Sequence, residues 1–584
     1  MIKKSLSRSH LADYVKEQPF KYMELWAYPY LFYYLGMFAF WMLAMHRQIL
    51  FWLYLWQVKE YHPGRFLAHF ETQKGKRIFI NPLFLGKIAI LLFAFVYYYF
   101  VHKIGLIIGL ALVLYLLQGT RAFWGILRRN LIHPELTQKS VFLIGAAHFV
   151  VFGLGFAIFG LFLGEMSLIH FAISAFCLLV IDILMPLIIS LVVLGLQPLT
   201  IWKKNKIINR ARAIIAGRPD LTVIGIAGSY GKSGVKELLA HILSQKYKVL
   251  KTRANQNTEM GVSQTIINDL KPEHQIFVCE IGAVHKGKIA QTAGIAKPRI
   301  GILTGISQQH LGVFGSQKNI VDAKFELLEA LPENGAAILN FASPLVRDNY
   351  DVKKNKINAQ KIIFAGKDIF ASEVQTKIDN LSFILNYQDQ KIKIDTNAKG
   401  AWMAETIILS IAGAASAGME LAAVAAIVNQ TDFTPLNIKK ILVEVKPPLS
   451  GGQTSTNSNF NVLDSTYSAN PDGVMAHLDY LKLWEGKRAI IMPCLIELGN
   501  ESKKIHFEIG QKIAEVCDLA IITAKERFGD IKKGALAGGM DAKNIVFCDN
   551  PKKIAQILKN RLSAGDILLL EGRLPQEIIR EIAE

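Results

Sequence analysis

The hydrophobic pattern of the chain changes near residue 200. Before that point long apolar runs dominate: residues 26–45 carry no formal charge, and 88–101, 104–120, 141–164 and 166–196 follow with few polar interruptions. About 20 apolar residues cross the ~30 Å hydrocarbon layer as a helix. The runs 88–101 and 104–120 are shorter, and His102-Lys103 between them reads as the tip of a tight hairpin, with 81–86 extending its first arm. The pattern predicts a polytopic α-helical membrane domain over 1–200, with five spans and four as the conservative figure. Residues 48–57 are too short to cross alone and are expected in the interface. Asp182 and Pro186 interrupt the last run. An ionised group at bilayer depth costs at least ~2.5 kcal/mol, which makes Asp182 a functional candidate. A carboxylate near a helix end, or one paired with a neighbouring helix, is the slightly favoured alternative.

Beyond residue 221 short β-branched runs alternate with helical stretches. Residues 223–227, 275–280, 300–304 and 336–340 read as buried parallel strands, 383–394 as a hairpin around Asp389-Gln390, and 404–417 as an alanine-rich helix. The Lys-Pro-Pro at 446–448 and Ser-Gly-Gly at 450–452 mark a domain joint. A second α/β set follows at 462–464, 488–492, 519–523, 544–547 and 567–570. The expected organisation is a membrane domain at 1–200 and two α/β domains at 201–445 and 446–584.

Composition sharpens this division. Of 584 residues, 51% are hydrophobic and 19% charged, with mean hydropathy +0.28, so disorder and collagen-like repeats are excluded. Five cysteines at 177, 279, 494, 517 and 548 have no CxxC spacing, which argues against a disulfide framework or thiolate zinc and fits a reducing compartment. The net charge of +19 suggests nucleic acid or an anionic membrane surface. Position decides for the membrane, because the basic clusters at 59–77, 121–139 and 203–212 flank apolar runs. Five spans would put all three clusters, and the α/β part, on the cytoplasmic side. Lys3, Lys4 and Arg8 oppose an outside N-terminus, a conflict that a re-entrant first segment would resolve. The first apolar run starts late and lacks a small-residue cleavage site, so a cleaved leader is not expected.

The strongest chemical signal is 224–233, a strand running through Gly228, Ser229 and Gly231 into Lys232, Ser233 and a helix. Glycines let backbone N–H groups wrap a phosphate, and a helix N-terminus adds positive potential. Lys232 would reach the β/γ-phosphates and Ser233 would hold Mg²⁺. Ile226 occupies the first glycine position of the strict motif, and a plain glycine turn is the bland alternative. Glu280 closes a hydrophobic strand, where a carboxylate is placed either to hold Mg²⁺ or to cap a helix. Taken alone, His310 is a loop hydrogen-bonding residue and Lys324 an exposed helix lysine.

Together, the ordered blocks resemble the central and C-terminal parts of the Mur ligases. The blocks are Ala-Gly-Ser-Tyr-Gly-Lys-Ser at 227–233, Asn-Gln-Asn-Thr-Glu-Met-Gly at 255–261 and Glu-Ile-Gly-Ala-Val-His-Lys-Gly at 280–287. They continue with His-Leu-Gly-Val-Phe-Gly-Ser at 310–316, Lys324 with Glu326, Asp-Ser-Thr-Tyr-Ser-Ala-Asn-Pro at 464–471 and Glu-Leu-Gly at 497–499. The nearest branch adds D-alanyl-D-alanine to the muramoyl tripeptide. The resemblance implies a P-loop central domain, a Rossmann-like C-terminal domain and ATP-dependent amide formation through an acyl phosphate. It implies ATP contacts from Gly228, Ser229, Gly231, Lys232, Ser233, Asp464 and Asn470, and Mg²⁺ ligation by Ser233, Glu280 and His310. It also implies catalytic roles for Lys232, His310 and Lys324, the last as a carbamylated lysine, and substrate contacts from Asn257, His285 and Tyr467.

The departures from the family pattern are specific. Trp402, Met403 and Thr406 stand in the adenine-side stretch in place of its usual His and Asn residues. Ser465 replaces the second acid of Asp-Asp-Ser-Tyr, and Pro493-Cys494 replaces Gly-Asp. Gly312 replaces Glu, and Glu571-Gly572-Arg573-Leu574-Pro575 replaces the terminal Lys-Gly-Ser-Arg. The domain that grips uridine diphosphate in the family is replaced by the apolar region. The expected substrates are therefore a cell-wall peptide precursor, lipid-linked or membrane-delivered and presented at the cytoplasmic face of the bacterial cytoplasmic membrane, and an amino acid or dipeptide, with no nucleic-acid partner. Competing readings are a poly-γ-glutamate-type amino-acid ligase and a non-catalytic ATP-binding scaffold. A transporter is disfavoured by the few ionisable groups in the spans.

Overall fold

The computed structural model describes residues 29–70, 73–101, 105–162, 168–253, 256–283, 285–308, 311–434, 439–445, 458–466 and 469–583. The expected joint at 446–452 and the expected site residues His310 and Tyr467 lie outside them. The chain forms two compact units, Met1–Trp202 and Lys203–Glu584.

The first unit is helical: Pro29–Val58, Pro82–Val101, Gly105–Leu127, Gln138–Phe162 and Leu168–Gly195 are its long elements, and Gln197–Ala216 runs on into the second unit. Three stretches, Ile108–Leu127, Gln138–Leu161 and Ile169–Ala216, are long and apolar enough to cross a membrane. Among the described residues the five-span expectation is thus met by three on length and hydropathy. The region 48–57, expected to lie separately in the interface, instead continues the 30-residue helix Pro29–Val58. The reason is packing: Trp41, Met45, Ile49 and Trp56 recur on one face and are fully buried against neighbouring helices. This helix is anchored sideways as well. Trp41 Nε1 donates to the Leu178 carbonyl (3.1 Å), and Trp56 Nε1 to Ser190 Oγ (3.2 Å). Asp182 is paired, as the favoured alternative anticipated: Lys87 Nζ lies 2.6 Å from its Oδ1, both side chains are buried, and Gln48 Nε2 donates to the same oxygen.

The second unit contains two sheets. The larger has the order β2-β3-β1-β4-β5-β6-β7-β8-β9, with β1 Thr222–Ala227, β2 Val249–Lys251, β3 Ile276–Glu280, β4 Ile300–Leu303, β5 Ala336–Asn340 and β6 Lys361–Ala365 parallel to one another. The strands β7 Ile369–Lys377, β8 Asn380–Tyr387 and β9 Gln390–Thr396 extend it as an antiparallel meander, which contains the expected hairpin. Strands β1 and β3–β5 are almost entirely buried. The helix Lys232–Ser244 presents Val235, Leu238, Leu239 and Ile242 to one face of this sheet, where Ile407 and Ile411 of the helix Met403–Ser416 join them. Each such side chain contributes about 1.5–3 kcal/mol by leaving water. The smaller sheet has the order β10-β11-β15-β12-β13-β14, from β10 Lys439–Val445, β11 Ser458–Ser465, β12 Arg488–Met492, β13 Leu519–Ile522, β14 Ile545–Phe547 and β15 Ile567–Glu571. Only β10 runs antiparallel to its neighbour.

Candidate active site

The order β3-β1-β4 places β1 at the centre of the larger sheet, and the glycine-rich turn leaves its carboxyl end. Gly228 (φ 152°) and Gly231 (φ 78°) adopt backbone conformations that side-chain-bearing residues avoid. A Cβ on Gly228 would fall 1.9 Å from Thr304 Oγ1, so the close approach to β4 requires glycine. Thr304 Oγ1 donates to the carbonyls of Ala227 (3.2 Å) and Tyr230 (2.5 Å), and the Gly305 carbonyl accepts from Ser229 N (2.7 Å). The turn is therefore strapped to the next strand. Gly231 caps the helix Lys232–Ser244 with no side-chain acceptor, which leaves its first-turn N–H groups for an anion. Ser229 Oγ is buried without a hydrogen-bond partner among the described residues.

Lys232 folds back over this turn, donating to the carbonyls of Gly228 (2.8 Å) and Ser229 (3.0 Å). Burial lowers its pKa, and Glu280 partly opposes the shift. Glu280, at the end of β3, is held from several sides. Ser233 Oγ donates to its Oε2 (2.9 Å), Asn257 Nδ2 to its Oε1 (3.0 Å), and Lys236 Nζ lies 3.5 Å from Oε2. Its own amide donates to Thr252 Oγ1 (3.0 Å). The sequence-expected Gly228, Ser229, Gly231, Lys232, Ser233, Asn257 and Glu280 are thus gathered into one place.

Lys324 is buried, not the exposed helix lysine that its isolated context suggested. Its ammonium donates to the Ala283 carbonyl at 3.4 Å. Burial first, then the positive charge of Lys232, brings its pKa down to about 7 against the pull of Glu326. The Glu326 carboxylate is engaged by backbone nearby, accepting from the amides of Gly287 (2.5 Å) and Ala290 (3.0 Å) and so capping the helix Lys288–Ala296. His285 lies in the turn just before this helix.

The C-terminal candidates are engaged differently. Asp464, near the end of β11, accepts from Thr466 N (3.0 Å) and Oγ1 (2.6 Å). Asn470 caps the helix Pro471–Leu481 by accepting from Gly473 N (3.0 Å). Ser465 and Glu571 meet at His477, whose Nδ1 lies 3.3 Å from Ser465 Oγ and 2.7 Å from Glu571 Oε2.

Several contacts here escaped the sequence reading. Lys236 is one turn beyond Lys232 on the apolar face of its helix and is 1% exposed; a lysine interrupting that face was the available signal. Trp402 packs against the hydrophobic cores of both α/β domains, with its ring edge-on to His477 (5.1 Å) and Tyr480 (5.4 Å). The adenine-side departure is therefore an interdomain contact. Glu405 accepts from Asn340 Nδ2 (2.8 Å), and burial raises the pKa of both Glu405 and Asp472. Burial, reinforced by these two carboxylates, pushes the Tyr230 phenol up to about 12.

Mg²⁺ prefers hard oxygen ligands and retains waters, so one or two protein groups suffice beside phosphate oxygens. Ser233 Oγ and Glu280 supply that donor set and fit the ion, and no group of three His, Cys, Asp or Glu side chains among the described residues forms a complete metal cage.

A glycine-rich turn at the end of the central strand, a carboxylate on the strand beside it and a second α/β sheet give the two-domain layout of a P-loop-type α/β protein. Within that class the chain belongs to the Mur ligase family. Residues 226–414 match the Mur ligase middle domain, and 453–574 match the Mur ligase glutamate ligase domain. A UDP-N-acetylmuramoyl-tripeptide–D-alanyl-D-alanine ligase of Synechocystis is 31% identical over 60% of this chain and 72% of its own length. The enzyme of the same description from Escherichia coli is 29% identical, over 50% of this chain and 61% of its own. In fold, MurF from Acinetobacter baumannii superposes with TM-score 0.56 at 23% identity, covering 65% of this chain and 80% of that one. MurF from Thermotoga maritima in complex with ADP gives 0.53 at 24%, covering 65% and 83%.

Proposed function

We propose that this protein is an ATP-dependent, MurF-like ligase of peptidoglycan precursor synthesis that joins a carboxylate to an amine, and that its helical unit anchors it in the bacterial cytoplasmic membrane with the α/β domains on the cytoplasmic side. The observation that carries the reading is the convergence of Lys232, Ser233, Asn257 and Glu280 at the ends of β1 and β3.

In this reading the turn 228–233 wraps the triphosphate with backbone N–H groups. Lys232 exchanges its two carbonyl bonds for phosphate oxygens and neutralises charge on the transferring phosphoryl group, which would otherwise repel an attacking carboxylate. The substrate carboxylate takes the γ-phosphoryl group, releasing ADP; the amine then attacks the acyl phosphate, releasing phosphate and a proton and forming the amide. Ser233 and Glu280, with His310 as a further ligand, would hold Mg²⁺, which when bound would supply electrostatic stabilisation of the phosphates. Lys324 supports carbamylation by its environment. Its neutral amine is available near pH 7 and can add CO₂, giving a carbamate anion and releasing one proton. Asn257, His285 and Tyr467 are assigned to the substrate side, and Asp464 and Asn470 to the nucleotide side. The apolar region in place of the family's uridine-diphosphate-gripping domain supports a lipid-linked precursor as carboxylate donor.

The test is phosphate release by the detergent-purified full chain with Mg²⁺-ATP, nucleotide-linked or lipid-linked muramoyl peptides, and single amino acids or D-alanyl-D-alanine as amines. Release that needs both carboxylate and amine and vanishes in Lys232→Ala supports the ligase. Preference for a single amino acid would favour the γ-glutamate type, and ATP binding without turnover would favour a scaffold.

A further inference from the structure

Within the helical unit, a cavity of about 480 Å³ is lined by Arg47, Arg121 and Arg128 together with Phe51, Trp124 and Leu131. Among the described residues no carboxylate lines it. The three arginines come from Pro29–Val58, from Gly105–Leu127 and from the turn that follows it, so separate elements bring like charges to the border of one space. Arg47 is half-buried and is repelled by Arg121. Arg128 lies over the Trp124 ring at 5.6 Å. A general excess of basic residues beside an apolar helix satisfies topology without any of this. Three arginines around one cavity, with no acid among the described residues that line it, instead leave like charges repelling one another until an anion enters.

Guanidinium forks match phosphate oxygens two at a time, and several together suit a group of more than one negative charge. The surroundings add the second half of the chemistry. Trp124, Leu127 and Ile132, at or beside the cavity, are 56%, 57% and 54% exposed, so an apolar surface continues outward from the charged floor. We infer that this cavity binds the phosphate or diphosphate head of a lipid, with the apolar rim taking the first part of its chain. The inference rests on the membrane anchoring proposed above and is independent of the ligase chemistry.

Binding of farnesyl diphosphate to the full chain in phosphatidylcholine nanodiscs, measured by titration calorimetry without ATP, tests it. Saturable binding is expected, weakened at least tenfold by Arg121→Gln or Arg47→Gln. Arg129→Gln, an exposed neighbour that does not line the cavity, should change it less than twofold. Lys232→Ala should leave it unchanged, which separates this cavity from the phosphate turn of the ligase domain. Arg121→Lys keeps a charge without the fork and is expected to fall between wild type and Arg121→Gln, which guards against a folding artefact. Inorganic pyrophosphate and UDP are the competing arms: weak competition by both supports a lipid ligand, whereas UDP competing as well as farnesyl diphosphate would overturn the lipid assignment. Absence of saturable binding, or equal losses at Arg121 and Arg129, would overturn the site itself.

Discussion

Ser465 and Glu571 are register partners across the parallel strands β11 and β15, and one histidine, His477, reaches both. The two positions were separate departures from the family pattern, an acid lost at 465 and a lysine lost at 571. In space they are neighbours: Glu571 is fully buried beneath His477 and sits in register beside Ser465. Ser465→Asp alone therefore sets a second carboxylate against Glu571 and should cost about 1–3 kcal/mol of stability. Combining it with Glu571→Lys restores opposite charges and should recover at least half of that loss. Thermal unfolding of the two single variants and the double variant measures the coupling; strict additivity would contradict a shared site.

Lys324 should titrate far below an ordinary lysine. With a folded value of about 7 and an unfolded value near about 10.4, the folded state binds fewer protons than the unfolded state between them, so this group makes stability rise with pH across that window. Competitive labelling of lysines followed by mass spectrometry should show half-maximal reactivity of Lys324 near pH 7, in chain freed of CO₂. A midpoint above pH 9 would remove the chemical case for carbamylation. Lys324→Ala should lose at least a hundredfold in ligation while retaining its unfolding temperature within a few degrees.

Glu259 links the helix Gln197–Ala216 to the central domain. Burial would raise its pKa, yet hydrogen bonds from Lys204 (2.5 Å) and Lys288 (2.9 Å) outweigh burial and hold it at about 2. Its contribution is present above the unfolded value of about 4.3 and is lost as the pH falls towards 2. Glu259→Gln should flatten acid unfolding of the protein between pH 4 and 2, as followed by circular dichroism. An unchanged acid limb would show that the two lysines contribute nothing.

In the helical unit, Lys87→Met leaves Asp182 buried with Gln48 as its remaining polar contact and should destabilise the unit by about 3–5 kcal/mol. Lys87→Met with Asp182→Leu removes both charges and should come close to wild type. Resistance of detergent-solubilised protein to heat aggregation reads the difference.

Around the phosphate turn, Ser233→Ala and Glu280→Gln should each lower ATP turnover at least a hundredfold, because they remove the two donors suited to Mg²⁺. The loss in Ser233→Ala should be partly relieved by raising Mg²⁺ concentration. Turnover rates across a Mg²⁺ series check this, and a loss indifferent to Mg²⁺ would exclude metal ligation by Ser233.

The glycine-rich turn and the buried strands β1, β3, β4 and β5 were legible in the sequence because their signals are local: a hydrophobic run, glycines and a helix in direct succession. The rest of the site depends on contacts across long stretches of chain. Thr304 fixes a turn 74 residues earlier, and Glu571 meets His477 from 94 residues away. Short edge elements such as β2, and polar strands such as β7, lack a continuous apolar run and left no pattern to read. Residues 48–57 were misplaced because length alone suggested a separate segment, whereas the burial of Ile49 and Trp56 on the same face as Trp41 carries one helix through them. Trp402 was visible as a departure, but its partners lie in another domain.

That tryptophan gives the α/β unit a built-in gauge. Its indole is wedged between two hydrophobic cores, and Tyr480, against which it rests, also donates to the Ile378 carbonyl at 2.5 Å on the turn between β7 and β8. Any swing of the smaller sheet away from the larger one has to withdraw the ring from an apolar setting into water. The optical properties of one side chain are thereby tied to the spacing of two sheets, so that a change in this spacing would alter the surroundings of a single indole.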